Sequence, residues 1–446
     1  MRIKQISVSG LFGIFDHVIP LNMDDRITVI HGPNGFGKTA MLRILNAFFN
    51  SRYPELRTIP VSKFCIEFDD GSHIEIINNT NNYDKIENNF IVNFYQPNLD
   101  IVTFDPNSSP QIKDFPIGVI NNFIPGLERI ATKKWLYKPT KESLSLEEVL
   151  ERFGDSLPLK LISPEQPDWL EKLKNNIHIH LIESQRLLKF APNLRFKSED
   201  KISSKVSTVS QYSSDIATLM QDKFKEYGTI SQSLDRTFPM RVVKQQSSSD
   251  ITNEQLRNQL NELEETRSRL IEVGLLDQDE NSEFQIQPQD IDESTKNALS
   301  VYVEDVEKKL NVFTEIATKI NLLKKIINNK FSYKEINFSK EKGFIFTTLY
   351  DSSLSDSKIL SPTDLSSGEQ HELVLLYELL FKVEPNSLVL IDEPELSLHV
   401  GWQVQFLKDL QEITKLADLD ILIATHSPDI IQDRWDLTVE LKGPVK

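Results

Sequence analysis

Gly32-Pro33-Asn34-Gly35-Phe36-Gly37-Lys38-Thr39 is the stretch that decides the fold. Its spacing, G-x-x-x-x-G-K-T, puts glycines where a chain must curl and a lysine and a hydroxyl where a helix begins. The curl turns successive backbone N–H groups inward, which suits the oxygens of a β-phosphate. Lys38 adds a point charge toward the β- and γ-phosphates, and Thr39 offers its hydroxyl to Mg2+. Residues 26–31 read as the strand that must precede such a loop, and residues 39–49 as the helix that must follow it. The helix N-terminus contributes partial positive charge. Gly32, Asn34, Gly35, Gly37, Lys38, Thr39 and Ala40 are the expected contacts to ATP, with Mg2+ as its companion.

A second constellation lies far along the chain. Ser387-Leu388-Val389-Leu390-Ile391-Asp392-Glu393 is an apolar run ending in two carboxylates, the pattern of a parallel strand buried on both faces. Ligands of doubly wound sheets gather at the carboxyl ends of strands, so Asp392 and Glu393 should emerge beside the phosphate loop. Asp392 is expected to hold Mg2+, and Glu393 to orient and polarise the attacking water. The apolar run 419–424 ends in Thr425-His426-Ser427-Pro428. At that same sheet edge His426 can donate to a γ-phosphate and sense its loss. The bland readings are a Gly-rich turn, an acidic strand end and a polar strand end.

The remainder of the 446 residues sets limits. A net charge of −16 argues against a chain that coats nucleic acid, because neutralising phosphates requires clustered Lys and Arg. The single cysteine, Cys65, leaves no internal disulfide and fits a reducing compartment. The N-terminus alternates like a strand, no signal peptide is evident, and no apolar run is long enough to span a bilayer. The expectation is a soluble, cytoplasmic protein.

Three zones separate by pattern. Residues 1–190 are rich in strand-like runs and read as the first part of an α/β head. Residues 191–331 open with Ser203, Ser204, Ser207, Ser210, Ser213 and Ser214 and then turn helical. Leu256, Leu260, Leu263 and Leu270 form one stripe, and Leu299, Val303, Val306, Leu310, Phe313, Ile316, Ile320, Leu323 and Ile327 another. Two such helices around a polar bend suggest an antiparallel coiled-coil hairpin over about 251–330, its longer arm reaching roughly 50 Å. An ordinary helical bundle is the alternative. Residues 332–446 return to strands and read as the second part of the head.

Leu365-Ser366-Ser367-Gly368-Glu369-Gln370 precedes a helix, with Ser366 or Ser367 placed to cap it. In order with the other segments it resembles the ABC signature motif. Asp392-Glu393-Pro394-Glu395 with Leu396-Ser397-Leu398-His399 is similar to the Walker B and D-loop segment, the 32–39 loop to Walker A, and His426 to the H-loop histidine. The resemblance implies an ABC-type P-loop ATPase head: a mixed sheet with flanking helices, interrupted by a helical insert. It also implies that Ser366, Ser367, Gly368 and Glu369 complete an ATP site on a second copy, so that two heads sandwich two nucleotides. The partner is therefore the chain itself, at least as a dimer, with a larger ring or propeller left open.

The long interval between Thr39 and Leu365 and the lack of a membrane segment point away from transporters and resemble SMC-like, RecF-like and overcoming-lysogenisation-defect (OLD) ATPases. His178-Ile179-His180-Leu181-Ile182-Glu183-Ser184-Gln185-Arg186-Leu187 is similar to a strand-plus-Gln-Arg segment of the OLD-related group, and residues 228–239 to another. Gln185 is then the candidate Q-loop glutamine, touching ATP and Mg2+; Gln96 is the alternative. OLD proteins carry a C-terminal TOPRIM nuclease, for which residues 427–446 leave no room, so any nuclease is expected on a separate polypeptide. That layout resembles the ATPase subunit of the PARIS anti-phage system. The expected function is an ATP-hydrolysing sensor and scaffold of antiviral defence that controls a TOPRIM-type effector and answers a phage-encoded trigger. A RecF/SMC-like clamp, with a basic groove fed by Lys133, Lys134 or Lys324-Lys325, is the alternative, and direct DNA binding is left open. A third reading is a scaffold that binds ATP and barely turns it over.

Overall fold

The runs Ile27–His31, Leu388–Asp392 and Asp420–Thr425 are almost continuously apolar and buried, so none can lie on an open sheet face. They pair in parallel: Ile27 to His31 lie opposite Ile421 to Thr425, and Asp392 lies opposite Ala424. Ile179–Ile182 extends the sheet beside Leu388–Asp392, and Thr438–Glu440 closes its other edge beside Ile27–His31. The register brings His31, Asp392 and Thr425 out at one edge.

This computed structural model describes residues 1–78, 90–106, 124, 126–131, 134–138, 142–145, 149, 166–183, 188–189, 206–244, 252–277, 292–348 and 359–443. The chain divides into two units, Met1–Lys205 with Lys382–Lys446, and Val206–Phe381.

In the first unit a six-stranded antiparallel sheet accompanies the parallel one, ordered Phe15–Pro20, Ile3–Leu11, Lys63–Phe68, His73–Asn78, Phe90–Tyr95, Val102–Phe104. Its strands alternate buried and part-buried positions, as one more fully covered face requires. The helix Lys38–Phe49 supplies the cover. Leu42, Leu45 and Phe48 share one core with Ile6, Phe64 and Ile74 of the antiparallel sheet and with Leu390 and Leu422 of the parallel one. The phosphate loop thus begins a helix held from both sides.

The second unit is built on a helix of 37 residues, Thr208–Lys244. It takes in Ser210, Ser213 and Ser214 of the serine-rich stretch and also Pro239, which the sequence reading did not treat as one helix. Tyr212, Ile216 and Met220 form its buried stripe, and Ser213 finds its partners far along the chain. Ser213 Oγ donates to the Lys342 carbonyl at 3.0 Å and accepts from the Phe344 N–H at 2.9 Å. The approach is close enough to require glycine at 343: its φ is +72°, and a Cβ there would lie 1.8 Å from the Ser213 carbonyl oxygen.

Helix Asn253–Glu272 starts with a Thr252/Gln255 capping box and packs on helix Glu293–Asn311 through Leu256, Leu260 and Val303. The expected second arm is not one continuous helix. Val312 and Phe313 interrupt it, and Thr314–Lys330 is a separate helix packed on strand Lys334–Ser339. The reason is Phe313, fully buried 5.3 Å from the Tyr227 ring, whose N–H bonds Leu310 three residues back. A hydrophobic period survives such a break, so periodicity alone joined the two helices. Each arm of the Asn253–Glu272 and Glu293–Asn311 pair spans about 30 Å rather than 50.

The sequence reading drew boundaries at 191 and 331; the compact units divide at Val206 and Phe381. Residues 332–381 group with the helices through the Lys330–Glu372 pair, the Tyr212–Glu378 hydrogen bond and the hydrogen bonds of Ser213 to Lys342 and Phe344. The mixed α/β architecture with a long helical insertion is the one expected.

Candidate nucleotide-binding site

The site lies at the carboxyl edge of the parallel sheet, within the first unit. Past His31 the chain takes positive φ at Gly32 (152°), Gly35 (85°) and Gly37 (89°). Gly37 is the position that admits no side chain: beyond its left-handed backbone, a Cβ there would meet Leu11 Cδ2 at 2.3 Å. The helix Lys38–Phe49 opens without a side-chain cap and without an acidic residue in its first turn, so its first N–H groups are suited to an anion. His17 Nε2 lies 3.0 Å from the Phe36 carbonyl and pins the loop from the antiparallel sheet.

Lys38 is buried, and its Nζ donates to the carbonyls of Gly32 at 2.6 Å and Pro33 at 3.1 Å. Burial pushes its pKa below the ordinary lysine value, against the pull of Glu393, Glu395 and Asp392. Thr39 Oγ1 donates to Asp392 Oδ1 at 2.9 Å, joining the two sequence constellations across 353 positions. Burial raises the Asp392 pKa, and the charges of Glu393 and Glu395 add to the rise, while the Thr39 hydrogen bond and Arg43 oppose it.

Glu393 sits at φ 43°, ψ 59°, a left-handed conformation unusual for a side-chain-bearing residue, and its N–H donates to Ala424 at 2.8 Å. The neighbouring strand end therefore dictates where this carboxylate leaves the sheet. Its Oε1 lies 3.8 Å from His426 Nδ1. The closer partner of that nitrogen is Glu395 Oε1, at 3.0 Å. Glu395 is the residue to which the sequence reading gave no role. Its only signal was a further carboxylate two positions past the strand-end pair, across a proline. Beside these groups is a cavity of about 370 Å3 lined by the start of the phosphate loop, His426 and the half-exposed Trp435, whose ring stands edge-on to His31 at 5.4 Å.

These residues fit a nucleotide with Mg2+. Among the described residues no three His, Cys, Asp or Glu side chains form a metal cluster of their own. The Thr39 and Asp392 oxygens can supply part of a Mg2+ shell, and phosphate oxygens and water the rest. A buried carboxylate with a raised pKa beside two more acids is the chemistry of a site that a divalent cation relieves.

The expected ATP contacts Ser366, Ser367, Gly368 and Glu369 belong to the second unit. Ser366, not Ser367, is the N-cap of helix Ser367–Tyr377, in a capping box closed by Glu369. Glu369 also receives Lys334 at 2.7 and 2.8 Å. Burial would raise its pKa, but the Lys334 and Ser366 donors outweigh burial and hold it below the usual carboxylate value. Ser366 and Ser367 are exposed. Gln185 and Arg186 lie outside the described residues. The strand before Gln185 runs parallel to Leu388–Asp392 with Ile182 opposite Ile391, so its carboxyl end is at the same edge as Asp392. Gln96 follows Phe90–Tyr95 of the antiparallel sheet and is exposed. Of the basic candidates, Lys133 is outside the described residues, Lys134 is exposed, and Lys324 donates to Asn337 at 3.1 Å and lies 3.6 Å from Glu335. Among the described residues no helix is long and apolar enough to cross a membrane.

No curated protein matches the chain. Among solved structures it is similar to an SMC head domain from Thermotoga maritima, at 10% identity and a TM-score of 0.35 over 97% of this chain and 92% of that one. It is also similar to an Smc head domain with an extended coiled coil, bound to the C-terminal domain of ScpA and derived from Pyrococcus furiosus. There the identity is 14% and the TM-score 0.33, over 96% of this chain and 91% of that one. The pattern that defines the AAA ATPase domain family matches residues 1–431, which takes in the phosphate loop, Asp392, Glu393 and His426. The chain belongs to the AAA ATPase domain family.

Proposed function

We propose that this chain binds ATP with Mg2+ at the carboxyl edge of its parallel sheet, hydrolyses it, and completes each site by pairing with a second copy. The observation that carries the proposal is the convergence of Thr39, Asp392, Glu393 and His426 at one strand edge, with Thr39 and Asp392 in direct hydrogen bond. Mg2+, when bound, supplies neutralisation of charge on the phosphate oxygens. The loop N–H groups and Lys38 bind phosphate. Thr39 and Asp392 offer metal ligands, with Gln185 a further one. Glu393 holds and polarises a water, and His426 contacts the terminal phosphate. Ser366 and Ser367, exposed at a helix start, reach with Gly368 the nucleotide of the partner copy. Pairing then depends on ATP and ends on hydrolysis, which makes a switch.

The finer part of the proposal is a sensor and scaffold of anti-phage defence that controls a separate TOPRIM-type nuclease and responds to a phage product. It is supported by the resemblance of residues 178–187 and 228–239 to the OLD-related group. The net charge of −16 suits protein partners better than bulk DNA, and Lys324 is engaged internally.

The test is phosphate release and ATP-dependent sedimentation of the purified chain. Glu393→Gln should lower turnover about 10²–10⁴-fold, the range of a lost general base, and accumulate an ATP-bound dimer; unchanged release sinks the assignment. Ser367→Arg should block pairing and leave nucleotide affinity intact, and normal turnover in that variant removes the trans-completed site. Purification with ATP from the native host separates the finer readings. A stoichiometric nuclease supports the defence scaffold, whereas DNA retained only with ATP, and no nuclease, supports a clamp.

A further inference from the structure

Glu395 is buried, its side chain 6% exposed, and its two oxygens are used unequally. Oε1 accepts two hydrogen bonds, from the Thr425 hydroxyl at 2.7 Å and the His426 backbone N–H at 2.9 Å, and it lies 3.0 Å from His426 Nδ1. Oε2 is buried with no hydrogen-bond partner among the described residues. The turn that carries Glu395 is also tied to the segment that carries His426. Gln403 Nε2 donates to the carbonyls of Glu395 and Leu398, and Gln403 Oε1 accepts from the Ser427 hydroxyl at 3.1 Å.

A carboxylate here is costly. One oxygen is orphaned, and Asp392 and Glu393 stand two to three positions away in the chain with the same charge. The Thr425 hydroxyl and the His426 backbone N–H would be satisfied equally by a neutral amide. The imidazole is where acid and amide differ: a carboxylate only accepts, and so assigns the ring proton to Nδ1 and leaves Nε2 for a ligand, whereas an amide can also turn its NH2 to the ring and leave the tautomer unfixed. Geometry adds a second consequence. Glu393 Oε1 faces the same nitrogen at 3.8 Å. With Glu395 removed, Nδ1 has one acid left to turn to, and that acid is the one required for water.

We propose that Glu395 is a positioning residue for ATP hydrolysis: it holds His426 by Nδ1 and so keeps Glu393 free to act on water. This rests on the ATPase reading above, so the unsubstituted chain and Glu393→Gln are assayed first; turnover that is absent, or indifferent to Glu393→Gln, fails that reading and this proposal with it. Given Glu393-dependent turnover, Glu395→Gln, His426→Ala and the double variant form a cycle read in kcat, in ATP affinity by equilibrium binding and in melting temperature. Glu395→Gln should lower kcat about 10–100-fold, the loss typical when a group that orients a functional histidine is removed. ATP affinity should stay within about twofold, since the hydrogen bonds of Glu395 among the described residues go to Thr425, His426 and Gln403 and to no phosphate-loop residue. In the His426→Ala background the same substitution should change kcat less than about twofold, because the ring it positions is gone. Unchanged kcat in Glu395→Gln, or equal losses in both backgrounds, overturns the proposal and leaves Glu395 a structural residue. Should Glu395→Gln fail to fold, Glu395→Asp replaces it in the cycle, with the same coupling to His426 expected and the same additivity fatal.

Discussion

Around the Ser367–Tyr377 helix, buried glutamates have matched donors: Lys334 meets Glu369, Lys330 meets Glu372, and the Tyr212 hydroxyl meets Glu378. At the edge of the parallel sheet Asp392, Glu393 and Glu395 crowd together, while Lys38 spends its hydrogen bonds on the carbonyls of Gly32 and Pro33. The first set holds a helix in place. The second carries three neighbouring acids without a lysine or arginine hydrogen-bonded to them among the described residues, the contrast with scaffold that the proposed cation-assisted phosphate site requires.

The comparison breaks most visibly at Lys330. Both it and Glu372 are essentially inaccessible, so Lys330→Met should leave a buried, uncompensated charge and cost about 3–5 kcal/mol in urea unfolding. Lys330→Met with Glu372→Leu should recover most of that loss; a neutral single variant would show that the pair is not what seats the helix.

Glu369 tests the same contrast more gently. Its folded pKa lies below the ordinary 4.5, so the stability it contributes is present above that value and is lost as pH falls through the lowered pKa. Glu369→Gln should therefore cost about 1 kcal/mol at neutral pH, the scale of a lost cap, and melting curves at acid pH should converge with those of the unsubstituted chain.

Asp392 should show the opposite sign at the smallest magnitude. Its folded pKa is raised above 3.8; its contribution is favourable below that value and is lost as pH rises through the raised pKa. Asp392→Asn should gain about 1 kcal/mol or less near neutrality, lose the gain in acid, and abolish the melting shift produced by ATP with Mg2+. Destabilisation by Asp392→Asn at neutral pH would place Asp392 with the scaffold acids.

The phosphate loop was legible because its chemistry is contiguous: glycines that need positive φ, a lysine and a threonine stand within eight residues and carry their own context of strand and helix. The run ending in Asp392 was legible for a related reason, since a strand buried on both faces has no polar positions to confuse it. A serine cap at 366 or 367 was legible from local pattern, and the hydrogen bonding of Ser366 to Glu369, three residues on, decides for Ser366. The helix Thr208–Lys244 was obscured because serines and a proline disfavour helix locally, and contacts such as Ser213 to Phe344 override that preference only in the folded unit. The break at Phe313 was hidden because burial against Tyr227 leaves the hydrophobic period intact.

What the sequence alone determined, then, is which residues are candidates for the site and most of the elements that bear them, because propensity, capping and periodicity act over a few residues. Only the tertiary structure decided which groups meet. Parallel register sets Asp392 beside Thr39 and brings Glu395 to His426, and the Lys330–Glu372 pair with the hydrogen bonds of Tyr212 and Ser213 ties residues 332–381 to the helices. Such contacts join segments tens to hundreds of positions apart, and they arise when buried strands align and buried charges find donors, which no local pattern encodes.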